Sequence, residues 1–128
     1  MTDAETVART IEAYNEAWNR QDLDAIDSMH APDVVFHNHT AGERAEGPAV
    51  REHIAAIFRN TPSLRFTGRR LYVREGLAVS EWTAHAERDG QRLEWDGVDV
   101  FPVENGLIKR KDVYSASARP RQIDPSEG

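Results

Sequence analysis

An acidic residue stands at the centre of a hydrophobic run, Trp95-Asp96-Gly97-Val98-Asp99-Val100-Phe101. A strand alternates faces, so Trp95, Gly97, Asp99 and Phe101 look one way while Asp96, Val98 and Val100 look the other. Asp99 then shares its face with two aromatic rings. A carboxyl group in such surroundings is either ionised and well paired or protonated with a raised pKa. Sites for acid/base chemistry on small apolar molecules are often built this way. An edge-strand or interface aspartate held by an arginine is the other reading. In Leu107 to Ser115, alternation groups Ile108, Arg110, Asp112 and Tyr114, and a hairpin through Asn105-Gly106 could bring Asp112 onto the wall of Asp99. Two neighbouring carboxylates split their pKa values, so one could be base and the other donor. Alternatively Arg110 neutralises one of them and no chemistry follows.

His37 and His39 alternate in phase, opposite Phe36 and Asn38. The pair could bind a metal only with a third ligand, for which His85 or Glu81 is the candidate; no metal is expected. His39, at a loop edge, could instead act as a general base. His30 and His53 read as helix-surface residues. Trp82, Trp95, Phe36, Phe101 and Tyr14 could line an aromatic cavity for a cyclic ligand, or simply fill the core.

The elements that must carry these residues fall into two groups. Val7, Ile11, Tyr14 and Trp18 form one helical stripe. Asp22 can cap a second short helix with Leu23, Ile26 and Met29, which Ala31-Pro32-Asp33 ends. Val34 to His39 reads as a strand, Thr40 to Gly47 as a loop, and Pro48 as the opening of a third helix with Val50, Ile54, Ile57 and Phe58. Four strands follow: Leu64 to Val73, Leu77 to Glu87, Gln91 to Phe101 and Leu107 to Ser115. They are separated by Glu75-Gly76, Asp89-Gly90 and Asn105-Gly106. Helices first and antiparallel strands afterwards indicate an α+β domain, spanning residues 1–117, with a loose tail over 118–128.

The 128 residues suit a single domain. A formal charge of -6 argues against a nucleic-acid partner. With no cysteine, disulfides and thiolate chemistry are excluded. No apolar stretch is long enough for a membrane span and no secretory signal is visible, so a cytoplasmic location is expected.

Several of these residues carry a resemblance: Tyr14, the run Trp18-Asn19-Arg20-Gln21-Asp22-Leu23-Asp24, Asp33-Val34-Val35-Phe36-His37-Asn38, Gly97-Val98-Asp99-Val100-Phe101, Gly106-Leu107-Ile108 and Asp112-Val113-Tyr114. From about Thr6 to Tyr114 the chain resembles the nuclear transport factor 2-like superfamily, in its SnoaL-like and ketosteroid isomerase-like branch. The resemblance implies a cone-shaped, curved antiparallel sheet packed against three N-terminal helices, a cystatin-like roll. It also implies a homodimer through the outer sheet face, where Glu81, Thr83, Glu94 and Asp96 suit a wet interface. Members include isomerases, polyketide cyclases, epoxide hydrolases and lyases, together with proteins that bind without catalysis, so fold does not settle function.

Tyr14 and Asp99 fall where ketosteroid isomerases place the two hydrogen-bond donors that hold an enolate oxygen. Asn38 falls where they place the catalytic aspartate, and a neutral amide cannot abstract a proton. Of the limonene epoxide hydrolase pattern, Asn38 survives. Phe36 replaces a tyrosine, Trp82 and Ala84 replace the arginine and aspartate, and Val113, beside Asp112, replaces the last carboxylate. The expectation is a protein that binds a small hydrophobic organic molecule, with cofactor-independent isomerase, cyclase or lyase chemistry possible. Tyr14, Asp99, Asp112 and His39 are its catalytic candidates. Asn38, Phe36, Trp18, Trp82, Trp95, Phe101 and Tyr114 are expected to contact the substrate. A non-catalytic binding or interaction module and an epoxide hydrolase-like activity are the alternatives.

Overall fold

The apolar stripe of the first helix, α1 (Ala4–Arg20), determines what the sheet must cover. Val7, Ile11, Tyr14 and Trp18 are all buried, and Ala17 joins them. Asp3 caps the helix by accepting from the Thr6 N–H at 2.8 Å. Gln21 ends it in a left-handed conformation (φ 54°), which turns the chain into α2 (Leu23–Ser28). There the Asp22 side chain accepts from the Ala25 N–H as a second N-cap.

The computed structural model describes residues 2–123. After α2 come β1 (His30–Asn38), β2 (Glu43–Glu46), α3 (Ala49–Asn60), β3 (Arg65–Arg74), β4 (Leu77–Arg88), β5 (Gln91–Glu104), β6 (Leu107–Ser115) and β7 (Arg121–Ile123). One curved sheet runs in the order β2-β1-β6-β5-β4-β3, with β7 alongside β5. Its inner face packs on α1 and α3 around a core that includes Ile11, Tyr14, Trp18, Ile54, Phe101 and Ile108.

The α+β architecture and the antiparallel β3-β4-β5-β6 meander agree with the sequence reading. Four details differ. The β1–β6 pair is parallel. The segment Thr40 to Gly47 is not all loop, because Glu43–Glu46 pairs with Val35–Asn38. β1 starts at His30 and passes through Ala31-Pro32-Asp33, with a register shift before Val35 where Pro32 has no N–H to give. Finally, β7 lies in the supposedly loose tail, held on β5 by the pairs Arg92↔Ile123 to Glu94↔Arg121 and by the Arg121 fork on Asp96 (3.0 and 3.1 Å). The remaining tail, 124–128, lies outside the described residues.

A second irregularity decides which residues face inward. Val103 pairs with Ile108 but Val100 pairs with Asp112, so β5 and β6 slip by one residue between them. Ile108 is therefore buried, and beyond the slip Lys111 and Val113 form the buried set. Arg110, Asp112 and Tyr114 turn to the outer face instead of continuing the phase of Ile108.

The floor of the sheet depends on Gly97. Trp82 lies directly opposite it across β4 and β5, and a Cβ on Gly97 would fall inside the Trp82 indole. Gly97→Ala should therefore displace the Trp82 ring and destabilise the fold by about 1–3 kcal/mol, as overpacking does. Urea unfolding with Trp fluorescence measures this, and an unchanged midpoint would show that the ring does not lie there.

Candidate active site

Between α1, α3 and the inner sheet face lies a cavity of about 360 Å³. Trp18, Phe36, Phe66, Trp82 and Trp95 supply its aromatic walls, and Asn38, Asp99 and Lys111 are among its polar groups. Asn19 fixes the α1 side of this wall through a reciprocal clamp on β3. Its amide donates to the Phe66 carbonyl at 2.9 Å, and its oxygen accepts from the Phe66 N–H at 2.8 Å. Phe66 then packs edge-on to both Trp18 and Trp82. Arg88 sits 5.8 Å above the Trp95 ring and donates to Thr61, joining β4 to the end of α3.

The charged centre of the cavity is a buried pair. Lys111 Nζ stands 3.8 Å from Asp99 Oδ2, with side-chain exposures of only 7% and 5%. The ammonium rests on aromatic faces, 3.7 Å from the Trp18 ring centre and 4.9 Å from that of Tyr14. Burial lifts the Asp99 carboxyl above the usual carboxylate range, opposed by Lys111 and by the nearby Trp82 N–H, which does not reach hydrogen-bond geometry. Burial pushes the Lys111 amine down to about 8, with Asp99 pulling the other way. Asp99 Oδ1 and the indole nitrogens of Trp18 and Trp82 are buried without partners, and all three belong to cavity-lining residues. Unpaired polar atoms at a cavity wall favour a ligand that carries its own polar group.

The candidates divide between two faces of the sheet. Trp18, Phe36, Asn38, Trp82, Trp95 and Asp99 line the cavity together. Asn38 uses its oxygen to accept from the Ala41 N–H at 3.1 Å, and its amide group makes no hydrogen bond among the described residues. Tyr14 and Phe101 are fully buried beyond the cavity wall and stack edge-on with ring centres 5.5 Å apart. Tyr14 meets His30, not a ligand: its hydroxyl lies 3.0 Å from His30 Nε2. His30 is thus no helix-surface residue but the buried first residue of β1. His53, on α3, is partly enclosed, 5.0 Å from the Phe36 ring centre.

Asp112 and His39 stand on the outer face, so Asp112 does not share the wall of Asp99. Val100 is its cross-strand partner, whereas Asp99 pairs with Val113. His39 Nε2 lies 2.9 Å from Asp112 Oδ1, and Arg110 donates to both oxygens of Asp112. Burial would raise the Asp112 pKa, but Arg110 and His39 outweigh it and hold the carboxyl below its ordinary value. Tyr114 is also outside, 46% exposed and stacked on His39. The ligand atoms of His37, His39 and Asp112 lie within 4.8 Å of one another, a grouping that could hold a metal ion. Its third member is Asp112 and not His85 or Glu81, which are engaged with Glu94 and Thr67 and with Arg70.

Lys111 is the residue that sequence reasoning missed. It was masked within the run Lys109-Arg110-Lys111, and its one available signal was the alternation with Val113.

A SnoaL-like domain family model matches residues 11–111, and the chain belongs to that family. Among solved structures it is similar to Bal32a from a soil-derived mobile gene cassette (18% identity, 88% of this chain and 91% of that chain covered, TM-score 0.80). It is also similar to TerC co-crystallised with polyporic acid (18%, 88% and 93%, 0.79) and to an LEH-like epoxide hydrolase of M. tuberculosis (21%, 90% and 86%, 0.74). These similarities establish the fold. No curated protein matches the chain. No helix among the described residues is long and apolar enough to cross a membrane.

The buried His30 generates a pH dependence. Burial, with Lys111 nearby, pushes its imidazole down to about 4 from 6.5. The unfolded chain therefore binds the extra proton first, and stability present above pH 6.5 is lost as pH falls toward 4. Wild type should lose roughly 2–3 kcal/mol more than His30→Gln between pH 7 and 4.5. Urea unfolding at the two pH values tests this, and equal losses would place His30 in solvent.

Proposed function

We propose that the chain binds a hydrophobic carbonyl or cyclic compound in the aromatic cavity and moves protons on it without a cofactor. The observation that carries this reading is the Asp99–Lys111 pair, enclosed by rings and bordering an open cavity of about 360 Å³. Between them the two groups hold a proton that either can release, because burial raises the acid and lowers the amine. Asp99 is the group that gives or takes a proton at the ligand, and Lys111 is its electrostatic partner. The free amide of Asn38 orients the carbonyl or a water. Tyr14 acts through Lys111, whose ammonium it faces with its ring, and is a positioning residue. Asp112 and His39 have no part in this scheme.

One observation favours a binding module instead: Asn38 stands where the resemblance places the base. Epoxide opening has less support, because Trp82 and Ala84 are buried and uncharged at the positions of the arginine and aspartate. A cytoplasmic homodimer belongs to the proposal. Tyr72, Val79, Val98, Val100 and Tyr114, set among ion pairs on the outer face, support the dimer and not the compartment.

The test uses 1-decalone and a small panel of bicyclic ketones. All three tryptophans, Trp18, Trp82 and Trp95, line the cavity, so binding should change the intrinsic fluorescence. In D₂O the protein should also accelerate deuterium exchange next to the carbonyl, and Asp99→Asn should slow it at least about a hundredfold. Binding with exchange at the buffer rate would leave a binding module. No fluorescence response to any of the ketones would end the cavity reading.

A further inference from the structure

We infer that Lys111 is a nucleophile that captures the carbonyl carbon of an aldehyde or ketone ligand as an imine, with Asp99 as its proton carrier. This inference rests on the cavity being a carbonyl-binding site, as proposed above.

The choice of cation is the first ground. Of sixteen basic residues only Lys109 and Lys111 are lysines. Lys109 sits at the surface with its ammonium on Asp33, at 2.7 and 2.9 Å from the two oxygens. Lys111 is the one at the cavity. A planar guanidinium would serve better for stacking on indole and forking onto a carboxylate, but it cannot lose its proton or act as a nucleophile. Lysine in an apolar pocket can do both.

The geometry around Nζ is the second ground. At 3.8 Å the ammonium is beyond a settled hydrogen bond to Asp99, and its other near neighbours are ring faces. Few contacts have to break when the amine turns toward a ligand. Asp99 also keeps Oδ1 free of any partner, on the residue that lines the same cavity. The lowered pKa of the amine, about 8, leaves a working fraction neutral near neutral pH.

The step balances within the pair. Lys111 passes one proton to Asp99, and its lone pair attacks the carbonyl carbon to form the C–N bond. The carbonyl π electrons move to oxygen, which takes the proton from Asp99. The nitrogen's second proton then goes to the Asp99 carboxylate and from there to the hydroxyl, which leaves as water while the nitrogen lone pair closes the C=N bond. The nitrogen keeps its third hydrogen through this closure, so the product is the iminium, with Asp99 again a carboxylate, and the iminium withdraws electrons from the neighbouring C–H bond. Hydrolysis returns the amine.

The experiment incubates the full chain with 1-decalone and sodium cyanoborohydride at pH 8, followed by intact mass measurement and peptide mapping. Hydride delivered to the iminium carbon should leave one decahydronaphthyl group per chain on Lys111, while Lys109 labels no faster than in urea. Lys111→Arg, checked for folding by circular dichroism, should lose the label. Asp99→Asn should slow labelling of Lys111 tenfold or more. Ketone binding by fluorescence without an adduct, or with the adduct on Lys109, would overturn the inference and leave the binding reading standing. Labelling of Asp99→Asn at the wild-type rate would overturn the role of Asp99. Absence of binding altogether would remove both readings together.

Discussion

Enclosing one carboxyl and one amine among aromatic rings is the constraint that the rest of the inner architecture serves. Removing both charges from water costs several kcal/mol per ion, and only mutual attraction and polarisable surroundings offset it. Asp99 and Lys111 obtain the first from each other at 3.8 Å and the second from Trp18, Tyr14, Phe36 and Phe101. Truncating one partner would leave an uncompensated charge, a loss of about 3–5 kcal/mol in comparable buried pairs. A well-packed apolar pair would hold the fold at least as well, so stability alone does not explain this one.

The same sheet keeps two chemistries apart. On the inner side the walls are rings and the polar atoms are few and underpartnered. On the outer side several charges are matched: Arg121 grips Asp96, which also accepts from Thr83, and Arg70 holds Glu81. One slipped residue between β5 and β6 assigns Lys111 inward and Asp112 outward. Had Ile108, Arg110 and Asp112 kept one phase, the carboxylate dyad and not an acid–amine pair would occupy the cavity. Gly97 completes the inner wall by letting the Trp82 indole lie across the neighbouring strand.

Much of this was legible in the sequence. The helical stripe from Val7 to Trp18, the Asp22 cap, three hairpin turns and the inward set of Trp95, Gly97, Asp99 and Phe101 follow from periodicity and turn chemistry, which are local. The family resemblance supplied the curvature and the helices against the sheet. What was not legible is non-local. The slip that inverts β6 depends on how two strands pair, and no residue in Leu107 to Ser115 announces it. His30 looked like a helix-surface residue because Ala31-Pro32-Asp33 resembles a stop signal; in the fold the strand passes through it, and Tyr14, sixteen residues earlier, receives the imidazole. Lys111 stands in sequence as one charge of the run Lys109-Arg110-Lys111, and nothing local marks it, since burial of a lysine is set by its neighbours across the sheet and not by its neighbours in sequence.

The central claim is that the amine of Lys111 is enclosed with Asp99 and has lost much of its ordinary basicity. With only two lysines in the chain, heteronuclear NMR of the Cε–Nζ groups can titrate both directly. Lys111 should titrate near 8, while Lys109, held by Asp33, should titrate above the ordinary lysine value of 10.5. Two lysines titrating together at or above that value would mean that Lys111 faces water, and the buried acid–amine pair would not exist.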